Sequence, residues 1–220
     1  MVNAPLLLLF MASWLKVFSL GPVIGPVAPL FAEERHASEE EATFVNSAVL
    51  GAEVAHSDGA LVAAQRRILR STERPRYLAV ADMTLPSTAE RLYIIDLQER
   101  RLVVRMLVAH GQGSGELTCD RFSNREGSHA TSKGLYRVGA EIVSPKHGPA
   151  LLLHGLDEGQ NCQALAREVI MHGADYVSAD FIRSHGRLGR SWGCPAVPRQ
   201  EMARIIELLA DEGFLYVHGH

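Results

Sequence analysis

Two stretches carry the side chains best suited to chemistry: Ser191-Trp192-Gly193-Cys194-Pro195-Ala196-Val197-Pro198 and, some twenty positions earlier, Ile170-Met171-His172-Gly173. A thiol entering one short apolar run, with an imidazole available from another, is the minimum kit for a cysteine nucleophile and its base. Cysteine attacks a carbonyl as the thiolate, and few thiols are ionised at neutral pH, so a neighbouring group must take or compensate the proton. An imidazole titrates in that range. Gly193 has no Cβ, which lets a substrate carbonyl come close to the backbone and lets nearby N–H groups face a developing oxyanion. Ser191 can hydrogen-bond either the sulfur or the imidazole. The chemistry these residues point to is acyl transfer.

Composition alone does not select the base. A lone cysteine among apolar residues is ordinarily a small buried hydrophobe. The chain has six His-Gly pairs, His110-Gly111, His147-Gly148, His154-Gly155, His172-Gly173, His185-Gly186 and His218-Gly219, any of which can be a turn. His185, nine positions before Cys194 in a glycine-rich loop, is a rival base.

The run His172-Gly173-Ala174-Asp175-Tyr176-Val177-Ser178, followed by Gly186-Arg187-Leu188-Gly189-Arg190-Ser191-Trp192-Gly193-Cys194-Pro195-Ala196, resembles the YkuD-type L,D-transpeptidases, in particular the murein L,D-transpeptidase catalytic-domain subfamily. The likeness continues upstream through Pro86-Ser87, Arg91-Leu92-Tyr93-Ile94-Ile95-Asp96-Leu97, Val108-Ala109-His110-Gly111, Phe122-Ser123-Asn124 and Gly127-Ser128-His129. It thus covers roughly residues 77–217. It implies that Cys194 is acylated by a peptidoglycan stem peptide with His172 as its base. Asn124, Ser128 and His129 resemble positions lining the approach to the sulfur, and Gly173 and Trp192 flank the pair on the substrate side. Three positions depart from the common pattern: Trp192 stands where a histidine precedes Gly-Cys, Ala196 where an arginine or asparagine follows, and Ser132 replaces a proline before Gly134.

The expected reaction is attack at the L-centre carbonyl of a tetrapeptide L,D bond, then transfer to an amine. Water as acceptor would make the enzyme an L,D-carboxypeptidase, and a chain without turnover would be a peptidoglycan-binding module. Arg187 and Arg190 can bind stem-peptide carboxylates or lie on a solvated loop face. No cofactor and no metal are expected, since neither H-E-x-x-H nor C-x-x-C spacing occurs among the ten histidines and three cysteines.

A formal charge of −3 argues against a nucleic-acid partner. Residues 1–32 read as a signal peptide: with Met11 as the start, Lys16 supplies the basic end, Val17 to Leu30 the apolar region and Leu30-Phe31-Ala32 a small-residue cleavage site. Pro22, Gly25, Pro26 and Pro29 argue against a spanning helix. The expected location is therefore periplasmic or secreted, with only transient membrane passage. In an oxidising compartment Cys119 and Cys162, both in polar loop-like stretches, can pair and leave Cys194 free.

These residues need a scaffold. Residues 33–74 read as an acidic linker followed by short helices, with Leu61, Ala64, Ile68 and Leu69 at helical spacing. Residues 75–220 form the catalytic domain. Tyr77 to Asp82, Arg91 to Asp96 and Leu102 to His110 are short β-branched or aromatic runs, the last two forming a hairpin. Leu135 to Val143, Ala150 to His154, Glu168 to His172 and Phe214 to Val217 are further strands. Gly111 to Gly134 and Asp175 to Gly189 read as loops, and Pro198 to Asp211 as a helix with Met202, Ile205, Ile206 and Leu209 on its apolar face. The fold class is mostly β, a YkuD-like mixed β-sandwich with a C-terminal helix and short N-terminal helices.

Overall fold

A computed structural model describes residues 58–220; the expected signal peptide, the linker and the first of the short helices fall outside the described residues. Helix α1 (Asp58–Leu69) leads into β1 (Tyr77–Asp82), β2 (Leu92–Asp96) and β3 (Arg101–Met106). After a long loop come β4 (Gly134–Ser144), β5 (Gly148–Gly155) and β6 (Ile170–Ala174). Helix α2 (Ala179–His185), strand β7 (Ala196–Pro198), helix α3 (Met202–Leu209) and β8 (Phe214–His218) complete the chain.

The eight strands form one mixed sheet in the order β3-β2-β1-β8-β4-β5-β6-β7. The β1/β8 and β6/β7 pairs are parallel. The chain just beyond β3 returns to the opposite edge, where Ala109 bridges Ala196 and Gly111 bridges Ser191, so the sheet closes like a barrel. The mostly β expectation stands.

The central runs read as continuously apolar because both faces are covered. On one face Ala79, Ala81, Leu92, Ile94, Leu151 and Met171 pack against Met202, Ile205 and Leu209 of α3. On the other, Leu78, Val80, Tyr93, Ile95, Leu135 and Phe214 pack against Ala60, Leu61, Ala64 and Ile68 of α1. The two sets alternate along β1 and β2, as a period of two requires. The β2–β3 turn forms where Asp96 Oδ1 accepts the N–H groups of Gln98 and Glu99, and Arg100 takes φ 53°.

Two elements differ from expectation. The stretch from Asp175 to Gly189 contains α2, which has no apolar stripe to reveal it. It is made by its ends: Ser178 Oγ accepts from Phe181 N, and Gly186 closes the helix at φ 70°. Pro198 ends β7 at ψ 130° instead of opening a helix, so α3 begins only after a 3₁₀ turn over Arg199–Glu201. The three-residue β7 is too short to register as a periodic pattern. Among the described residues no helix is long and apolar enough to cross a membrane.

Leu61 is 1% exposed at the centre of the α1 contact. Leu61→Ala is expected to lower unfolding free energy by about 2–4 kcal/mol in urea titrations. A loss below about 0.5 kcal/mol would mean that α1 does not belong to the core.

Candidate active site

The segment from Ser191 to Ala196 is a strap bonded on both sides. Toward the chain leaving β3, Ser191 N donates to His110 O (3.1 Å), Gln112 N to Ser191 O (2.8 Å) and Ala109 N to Ala196 O (2.8 Å). Toward β6, His172 N donates to Pro195 O at 3.4 Å. Cys194 sits in this strap as a free, half-buried thiol. Gly193 adopts φ 120°, and a side chain there would meet Ala130 O at 2.9 Å and an Arg167 Nη2 at 3.2 Å. Gly111 is equally constrained, since a Cβ on it would lie 2.7 Å from Gly193 Cα. Glycine is therefore required on both sides of the contact.

Ser191 has a different role from the one expected. Its hydroxyl donates to Cys194 O (2.6 Å) and accepts from Gly193 N (3.1 Å), bracing the strap's main chain instead of the sulfur or an imidazole. A second brace lies below. Fully buried Arg91 donates to Val108 O and Leu85 O and approaches His110 Nδ1 at 2.8 Å. Burial, then the Arg91 charge, lowers His110 to about 4. Neutral His110 accepts on Nδ1, leaving Nε2–H for Gly115 O.

His172 is in register with Ala196, so its ring projects from β6 one ladder step from Cys194. The ring is 1% exposed. Burial lowers it to about 4, helped by the charges of His147, Arg199 and Lys146 and opposed by the Gly173 carbonyl. Because that carbonyl, 3.2 Å from Nδ1, can only accept, Nδ1 carries the hydrogen and Nε2 is the basic atom. The ring stacks on His147 at 3.7 Å between centroids. The sulfur's own partners are Glu168 O at 4.0 Å and the backbone N–H groups of Ile170 and Cys194. Burial pushes the thiol up, against the pull of those N–H groups, Arg167 and Lys146. No hydrogen bond joins the sulfur to the imidazole; His172 lies opposite Ala196, two positions beyond Cys194. Beside His147 a cleft of about 380 Å³ opens, lined by Glu141, Pro149, Gly173, Arg199, Met202 and Ile206 among others.

The family description "L,D-transpeptidase catalytic domain" matches residues 52–218. The chain belongs to the L,D-transpeptidase catalytic-domain family. No curated protein matches. Solved structures similar to it include an L,D-transpeptidase from Mycobacterium smegmatis, at 14% identity and TM-score 0.41 over 66% of this chain and 59% of that one. The helical cell shape determining protein of Campylobacter jejuni follows at 15% and 0.43 over 66% and 47%. An L,D-transpeptidase from Stackebrandtia nassauensis is similar at 14% and 0.40 over 73% and 67%. The chain thus spans less than two thirds of the length of the first two.

Within this family member the remaining expected site residues fall into three groups. Near the strap, Trp192 is 65% exposed, stacked on His129 at 5.0 Å, with Lys146 Nζ 4.6 Å from its ring. His129 Nδ1 lies 2.9 Å from Gln112 Nε2, and Ser128 Oγ accepts from Arg167 at 3.3 Å. Gly173 faces the 3₁₀ turn before α3, where a Cβ would meet Arg199 Cα at 2.9 Å. Elsewhere, Arg187 and Arg190 both pair with Glu116, so their charges are already engaged. Asn124 donates to Cys162 Sγ and accepts from Gln163 N. His185 lies on exposed α2, its ring stacked on Phe181 and its Nδ1 at Phe181 O, with no bond to Cys194. The expected Cys119–Cys162 bridge is not made: Cys119 is a buried free thiol raised to about 11 by burial, and Cys162 is separately bonded to Asn124. Among the described residues no group of three or more His, Cys, Asp or Glu is placed to hold a metal.

Sequence reasoning missed Arg167, Lys146 and His147. His147 had a visible signal, since it was one of the six His-Gly pairs, but nothing local joins the β4–β5 turn to β6. Ala196, where the family pattern carries a polar residue, is fully buried against Ala109 and Leu188. That closure leaves no space for an arginine.

Acid stability follows from the two buried imidazoles. Both go from an ordinary 6.5 to about 4. Below pH 6.5 the unfolded chain binds protons that the folded chain refuses until about pH 4, so stability falls as pH drops through that window. His172→Gln should reduce the stability lost between pH 7 and 4.5 by roughly 2 kcal/mol in denaturant titrations. An unchanged pH dependence would mean that the imidazole is solvated.

Proposed function

We propose that the protein is a cysteine-dependent acyl transferase acting on peptidoglycan stem peptides, with Cys194 as nucleophile and His172 as base. The observation that supports this reading is the strap, which bonds to β6 at the level of His172 and carries a half-buried thiol two positions before the residue in register with that buried imidazole. Membership of the L,D-transpeptidase catalytic-domain family supplies the substrate class.

Burial disfavours the charged form of each partner, so the resting pair is thiol and neutral imidazole, and the proton moves during attack. Rotation of the Cys194 side chain from Glu168 O turns its S–H toward His172 Nε2. As Nε2 takes the proton, the sulfur pair bonds the carbonyl carbon of the L-centre, and the carbonyl π pair moves to oxygen. The Cys194 N–H, which already faces the sulfur, is a donor available to that oxyanion. Collapse breaks the L,D amide; the departing D-residue nitrogen takes the proton from His172, leaving a thioester. An amine acceptor then restores the thiol and forms a cross-link or an attachment; water would give carboxypeptidase products. The polymer lies outside the cytoplasmic membrane, so this reading goes with export through residues 1–32 to the periplasm or the exterior.

Incubation with a carbapenem, read by intact mass, is expected to give a covalent adduct on the native protein and none on Cys194→Ala. His172→Ala should acylate at least 100-fold more slowly, the order of effect of one positioned base. A native protein that stays unmodified and leaves a tetrapeptide muropeptide intact would sink the proposal in favour of a wall-binding module.

A further inference from the structure

The turn before β6 and the first residue of that strand surround Cys194: Glu168 presents its carbonyl 4.0 Å from the sulfur, Ile170 its N–H, and Arg167 Nη2 stands 3.2 Å from where a Cβ on the adjoining Gly193 would lie. The turn is built for it: Val169 N bonds Ala164 O and Glu168 N bonds Leu165 O, a Schellman closure, with Glu168 in the left-handed region at φ 55° where glycine is usual. Arg167 is fixed from the other side. Its Nη1 donates to Ser123 O (2.9 Å) and Ser132 Oγ (3.1 Å), and its Nη2 to Ala130 O (2.7 Å) and Ser128 Oγ (3.3 Å). The outer N–H groups are all taken, so this residue acts on the sulfur through its charge, held against Gly193.

We propose that Arg167 is the counter-charge of the Cys194 thiolate, a positioning residue that supplies from the turn before β6 the cation that Trp192 cannot supply from the strap. Two departures from the family pattern meet here. Trp192 removes a second imidazole, and Ser132 places a hydroxyl on the guanidinium where a proline could bond nothing. The other ionisable groups around the sulfur are Lys146 from the β4–β5 turn, Tyr176 from the chain after β6 and His172 on β6. Of the two cations, only Arg167 has its charged group immobilised by four bonds; Lys146 lies over the exposed Trp192 ring.

This inference rests on Cys194 being the nucleophile of the proposed function, yet its test needs no turnover. Alkylation of Cys194 by iodoacetamide, followed against pH by peptide-resolved mass spectrometry, reports thiol ionisation. In Arg167→Gln the half-point is expected to rise by at least about one pH unit, a tenfold loss of thiolate at fixed pH. Arg167→Lys, which keeps the charge but not the fork, should restore most of the profile even where it melts earlier. A folded Arg167→Gln with the native half-point would overturn the proposal and leave Arg167 a clip between loops. If Arg167→Gln does not fold, Ser128→Asp decides: a carboxylate against the guanidinium should raise the half-point, Ser128→Asn should not, and equal profiles overturn the proposal. Normal carbapenem adducts with an unmoved profile would reject only Arg167. No adduct at all would reject the proposed function and leave the ionisation result standing.

Discussion

The structure depends on the strap being hydrogen-bonded along both edges. One sheet closes only because Ala109 to Gln112 and the His172 amide hold the same six residues from opposite sides. That contact forbids a side chain at Gly111 and Gly193, consumes the Ser191 hydroxyl and buries Ala196. Cys194 is thus carried on the seam of the fold, and whatever loosens the seam displaces its sulfur.

Burial at the seam works against ionisation. Both the thiol and the imidazole are driven toward their neutral forms. A site of this kind has two routes to reactivity: proton transfer during attack, and a fixed cation that lowers the cost of the thiolate. The groups around Cys194 offer both, from separate elements. His172 comes from inside β6; Arg167, Glu168 and Ile170 come from the turn and first residue that precede it. One strand and the turn that leads into it therefore supply both His172 and the groups that face the sulfur.

The surrounding polar residues divide by whether their charge is spent. Arg187 and Arg190 are held by Glu116, and Arg199 by Asp175. Lys146 sits over the exposed Trp192, and among the described residues no carboxylate forms an ion pair with it. This makes the Trp192 side of the strap the polar mouth of the site, and the arginine loop a structural fastening.

Much was legible along the chain. The strands of the central sheet, the hairpin from Arg91 to His110 and the apolar face of α3 follow from local period and turn chemistry, which neighbouring residues carry among themselves. Cys194 and His172 were legible as candidates because their motif residues are contiguous in two short runs. Helix α2 escaped because its caps, not an apolar stripe, define it; Asn124, Arg187 and Arg190 each found a partner distant in sequence, while the Ser191 hydroxyl turned to the main chain of its own strap. Arg167 and His147 were beyond local reading altogether: their significance lies in contacts 25 or more positions away, to Gly193, Ala130 and His172. By itself the amino-acid order determined most of the strands and which side chains are candidates for chemistry. Only tertiary closure decided which cation, carbonyl and imidazole stand around the sulfur, since a charge is felt through space and not along the backbone.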